Sequence, residues 1–121
     1  LLKDLGFEDV DGDRNNGFKL GGQQIDACGG VPAAGTLLVI ECKTKDALAK
    51  KTVRGAIKDC RAMWTPIQKA AKKHKDYQKY TRMDMMLLAE NYQYNSVDKE
   101  FAQQKDELGN FQGKKIILKS A

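Results

Sequence analysis

No apolar run in this chain approaches the roughly 18 residues that a membrane-crossing helix needs, which excludes a helical span. The N-terminus lacks both an initiator Met and the charged, apolar and small-residue zones of a secretory signal. Leu1-Leu2-Lys3-Asp4-Leu5 instead reads as a cut made inside a helix closed by Gly6, with part of the native protein missing. Cysteine is sparse: Cys28, Cys42 and Cys60 make an odd count, and no two have the separation of a zinc knuckle or a redox pair. A reduced, cytoplasmic setting is the expectation. No internal repeat and no low-complexity tract interrupts the chain. Gly21-Gly22 is followed by neither Gly-Lys-Ser/Thr nor a helix start, so it is no phosphate loop.

What is there belongs to one soluble globular domain, residues 1–121, with 41% hydrophobic and 31% charged residues. The formal net charge of +5 and a pI near 9.1 lean towards a polyanionic partner without requiring one.

The pattern alternates between strands and helices. Asp9 to Gly17 is an Asp/Asn/Gly-rich loop or ragged edge strand, and Phe18 to Cys28 reads as a strand bent or bulged at Gly21-Gly22. Thr36-Leu37-Leu38-Val39-Ile40 is apolar at every position, which predicts a strand covered on both faces. Val53, Ile57, Cys60 and Trp64 then recur at i, i+4, i+7 and i+11, one buried helix face, with a basic stripe of Lys51, Arg54, Lys58 and Arg61 outside it. Pro66 should kink or restart that helix. Met85 to Ala89 is the next strand, and Asn95 or Ser96 caps a helix that turns Val97, Phe101 and Leu108 inward and ends at Gly109. Lys115 to Lys119 makes the last strand. Together these predict a mixed α/β sheet with helices on both faces.

Chemistry concentrates in Gln24-Ile25-Asp26, a Gly/Pro/Ala-rich connection, and Leu38-Val39-Ile40-Glu41-Cys42-Lys43. Side chains alternate along a strand, so Glu41 and Lys43 share one face and Cys42 takes the other. Pro32-Ala33-Ala34-Gly35 makes a four-residue hairpin loop, and if Val31 pairs with Thr36 the same register puts Asp26 opposite Glu41. Two carboxylates so placed repel each other unless a cation joins them, and carboxylate oxygens suit Mg²⁺ or Mn²⁺. An isolated Glu-x-Lys is usually a surface ion pair of little consequence. This one ends an apolar strand and has a matching Asp across the hairpin.

With Asp26 near a strand turn and Glu41-Cys42-Lys43 on the next strand, the sequence resembles the PD-(D/E)xK nuclease superfamily. In look it is similar to Mrr-like restriction endonucleases and archaeal Holliday-junction resolvases, whose opening segment Leu5-Gly6-Phe7 also resembles. The resemblance covers most of the chain and implies a restriction endonuclease-like fold and a Mg²⁺-dependent (or Mn²⁺-dependent) endonuclease acting on DNA phosphodiester bonds. Asp26 and Glu41 would hold metal, with Lys43 as third catalytic residue. Ile25 stands where the motif has Pro. Many relatives add an acid from a first helix, a role left here to Glu8 or to a residue outside the sequence. The expected partner is DNA, contacted by Lys45, Lys51, Arg54, Lys58 and Arg61; a homodimer and further domains of the same protein complete the picture. The alternative is an inactive nucleic-acid-binding or scaffold module that keeps the fold.

Tyr77 and Tyr80 could stack on bases, although packing explains them more simply. His74, the single histidine, sits among lysines as a solvated side chain, and Cys42 is expected to pack in the interior.

Overall fold

The computed structural model of the protein describes residues 5–11, 18–44, 52–90, 92–103 and 116–120. They form a mixed α/β architecture. Five strands, β1 (Glu8–Asp11), β4 (Ala27–Val31), β5 (Thr36–Lys43), β6 (Arg82–Ala89) and β7 (Ile116–Ser120), make one sheet in the order β1-β4-β5-β6-β7. The β1/β4 and β4/β5 pairs are antiparallel, and β5/β6 and β6/β7 are parallel. The 21-residue helix α1 (Val53–Lys73) links β5 to β6, and α2 (Ser96–Gln103) lies between β6 and β7. Parallel neighbours need such crossovers, whereas β4 and β5 need only a tight turn.

One face of the sheet carries the core. Leu37 and Val39 of β5 and Met83, Met85 and Leu87 of β6 meet Val53, Ile57, Cys60, Trp64 and Ile67 of α1, all buried, and Ala102 of α2 joins them. The periodicity of α1 is therefore as expected. Thr52 starts the helix by accepting the Gly55 N–H on its hydroxyl at 3.0 Å. The helix does not restart at Pro66: α1 runs on to Lys73. Trp64 before the proline and Ile67 and Ala71 after it are all buried on the same face, which holds the helix together across the missing N–H.

The second face is less complete among the described residues. Ala27 and Ile40 are buried there, flanked by the half-buried Phe7, Val10, Leu38, Met86 and Leu88. The helix expected at the N-terminus falls on residues 1–4, outside the described residues, and Leu5 is exposed.

Other sequence expectations need correction as well. Phe18 to Cys28 is not one bulged strand. Gly21 and Gly22 both take positive φ (61° and 76°), which makes a two-residue turn between β2 (Phe18–Leu20) and β3 (Gln23–Ile25), a separate hairpin. This hairpin leans on α1 so closely that a Cβ on Gly21 would lie 2.5 Å from the Pro66 carbonyl oxygen. Val97 does not point inward but is exposed, and Ala102 fills that role; an eight-residue helix offers the core only a narrow stripe, and its first turn lies outside it. The expected inward contact of Leu108 and the stop at Gly109 lie outside the described residues, as does the side chain of Phe101. Finally, Cys42 is exposed and not packed in the interior: it lies near the end of β5, beyond the stretch that pairs with β4.

At the other end of the sheet, β1 is clasped from the turn that follows α1. The Tyr77 hydroxyl donates to Asp11 and the Tyr80 hydroxyl to Asp9 (2.7 Å), and Lys79 pairs with Asp9 at 2.8 Å. Both tyrosines are buried, and a Cβ on Gly30 would overlap the Tyr80 ring. Packing is their role. His74 is half-buried in the same turn, stacked on Tyr77 and accepting the Asp76 N–H on Nδ1, and so is more engaged than a solvated side chain.

Candidate active site

The hairpin loop sets the register. Pro32 to Ala34 form a single 3₁₀ turn closed by Gly35 at φ 61°, whose N–H donates to the Pro32 carbonyl at 3.0 Å. Val31 then pairs with Thr36 and Ala27 with Ile40, the register anticipated from the loop length. β4 begins at Ala27, so Asp26 sits one residue outside the ladder, at the bend between β3 and β4. Its carboxylate replaces the missing strand: Oδ2 accepts the backbone N–H of Cys42 at 2.7 Å. That bond anchors Asp26 against the end of β5.

Glu41 continues the row of Leu37 and Val39, on the face covered by α1. It is half-buried, and its carboxyl is hydrogen-bonded to the side chain of Asp26. Burial first, and then the Asp26 hydrogen bond and charge, push Glu41 up to about 8, against only partial relief from Lys43. The raised Glu41 carboxyl therefore favours its protonated form beside Asp26. Lys43, two residues on and half-buried on the same face, places its ammonium charge beside them. The structure brings all three expected residues together.

Asp59 was not singled out by sequence, because it lies between Lys58 and Cys60 and reads as part of the helix surface. It is half-buried on α1, and its charge also raises Glu41. Beneath the cluster, Cys60 is fully buried and burial pushes its thiol up to about 12, while burial and the two acids also raise Cys42. Neither thiol is primed as a nucleophile. Glu8, the possible fourth acid, pairs with Gly30, which pairs with Leu37. That places it two strands away and four residues, or about 13 Å, back along the sheet from Glu41, too far to share an ion.

No family model, no curated protein and no solved structure matches this chain. The site therefore stands on its own geometry. Among the described residues no group of three or more His, Cys, Asp or Glu side chains is arranged around one point. Two carboxylates are enough for Mg²⁺, which is commonly held by one or two carboxylates with water and substrate phosphate as the remaining ligands.

The basic stripe is partly as expected. Arg54 and Lys58 are exposed on α1, whereas Arg61 is half-buried; Lys45 and Lys51 lie outside the described residues.

Proposed function

We propose that the protein is a metal-dependent endonuclease of the PD-(D/E)xK kind that hydrolyses DNA phosphodiester bonds. One observation carries the reading: Asp26 and Glu41, two acids that repel when ionised, are held in hydrogen-bonding contact with a lysine beside them at the carboxyl end of β5, where open α/β sheets bind ligands. The proposal includes a restriction endonuclease-like fold with helices on both faces, for which the half-buried Leu38, Met86 and Leu88 on the second face are the support.

In this mechanism Asp26 and Glu41 would hold and orient the ion. Mg²⁺ or Mn²⁺ held there would polarise the phosphate and lower the pKa of the attacking water. Asp26, pinned by the Cys42 N–H, fixes one carboxylate in place. Glu41 would have to lose its proton to solvent before it could hold the ion. Lys43 stabilises the negative charge that develops at phosphorus, and partial burial strengthens that attraction. Arg54 and Lys58 contact the backbone without reading bases.

Supercoiled plasmid incubated with the protein and Mg²⁺ or Mn²⁺ tests this. Nicked circles are expected, abolished by chelator and by Glu41→Ala, with DNA binding by the variant retained. No nicking with either ion, or an equally active Glu41→Ala, would remove the catalytic reading.

A further inference from the structure

Beside the proposed centre the sheet presents a second feature. Lys43 at the end of β5 pairs with Ala89 of β6, which pairs with Ser120 of β7. Ser120 is thus two strand spacings, about 10 Å, from Lys43 along the same carboxyl edge. There an open cleft of about 360 Å³ is lined by Tyr92, Gln93, Tyr94, Lys99 and Ser120. That volume is within the range of small-ligand pockets.

Its two rings are fixed in advance. The Tyr94 hydroxyl lies 2.8 Å from the Lys119 carbonyl oxygen and 3.1 Å from that of Leu87, donating between the ends of β7 and β6. The Tyr92 hydroxyl donates to Asp98 Oδ2 at 3.3 Å. Asp98 is itself locked to the start of α2: its N–H donates to Asn95 Oδ1 at 2.8 Å, and its carboxylate accepts the Asn95 N–H at 3.3 Å. The rings stand edge to face, 5.2 Å between centroids and 62° apart. Both are only half-buried, while Gln93, Lys99 and Ser120 are exposed around them.

We propose that this cleft receives one unpaired nucleobase of the strand whose phosphate lies at Lys43, which makes the substrate a nucleic acid with a single-stranded or splayed nucleotide next to the cut. Aromatic faces stack on any base, the Gln93 amide and Ser120 hydroxyl can meet its polar edge, and the Lys99 ammonium suits the adjoining phosphate. Paired bases stay stacked within a duplex, so only a locally melted or splayed nucleotide, as a supercoiled plasmid supplies, can enter the cleft. The inference rests on the nuclease reading for the position of the phosphate, but its test does not require turnover.

Binding of a short single-stranded deoxyoligonucleotide containing 2-aminopurine, and of a duplex of equal length, is measured without divalent metal. For the single strand we expect 2-aminopurine emission to change on binding. Tyr92→Ala should weaken binding roughly 10-fold and Tyr92→Phe should restore it, since the ring stacks and the hydroxyl does not. Duplex affinity should be the same in all three proteins, which also shows that the variants are folded. Unchanged emission in the wild type, unchanged single-strand affinity in Tyr92→Ala, or an equal loss on both ligands would each overturn the proposal. Loss of nicking activity with these results intact would overturn the nuclease reading alone.

Discussion

Replacing Trp64 by alanine should cost about 3–5 kcal/mol of folding stability. The indole is 4% exposed and belongs to the cluster in which α1 meets β5 and β6. No single-residue change in the described core removes a larger side chain. Alanine there leaves a cavity walled by helix on one side and sheet on the other, and neither can collapse without losing further contacts of Cys60 and Ile67, both fully buried. Against the 5–15 kcal/mol typical of whole domains, this is enough to populate unfolded chains. Urea titration should show a lower midpoint at unchanged m-value. A loss under about 1 kcal/mol would mean that α1 is not seated on the sheet by this face.

Stability of the metal-free protein should fall as pH rises from about 4.5 to about 8, and Glu41→Gln should remove that fall. An ordinary Glu carboxyl titrates near 4.5, and in the fold Glu41 is raised to about 8. A raised acid favours folding while it holds its proton. Below 4.5 both states are protonated and the contribution is fully present. Between 4.5 and 8 the unfolded chain has released the proton and the folded chain has not, so stability drops with each unit, by less than the about 1.4 kcal/mol of one unscreened proton because solvent screens the half-buried site. Above 8 the loss is complete. Glutamine keeps a donor for Asp26 and does not titrate, so its curve should be flatter across this window. Parallel curves for wild type and Glu41→Gln would show that the site does not raise Glu41.

The legible part of this architecture was the part governed by local periodicity and turn length. The apolar run from Thr36, the spacing of Val53, Ile57, Cys60 and Trp64, and the four-residue loop at Pro32 each fix neighbours within a few residues, and each is found in the structure. The register around that loop carried the site, because Asp26, Glu41 and Lys43 are ordered by the same hairpin. Long-range compensation was not legible. Nothing near Pro66 announces that burial of Trp64, Ile67 and Ala71 will carry the helix across it. Cys42 shares its strand with interior residues, and only the early end of β4 exposes it. Tyr77 and Tyr80 read as packing, but their partners Asp11 and Asp9 are more than 60 residues away in sequence. Asp59 acquires its bearing on Glu41 only when α1 is laid on the sheet. Gly21-Gly22 is different: two adjacent glycines are a hairpin signal in their own right, and the turn was there to be seen.

The central claim, a divalent-cation site made by Asp26 and Glu41, is tested most directly by soaking crystals of the protein in Mn²⁺ and recording its anomalous scattering. The account predicts one peak between the two carboxylates, within about 2.6 Å of an oxygen from each, and its disappearance in Glu41→Gln crystals. Manganese bound elsewhere, with Asp26 and Glu41 still joined only to each other, would contradict it.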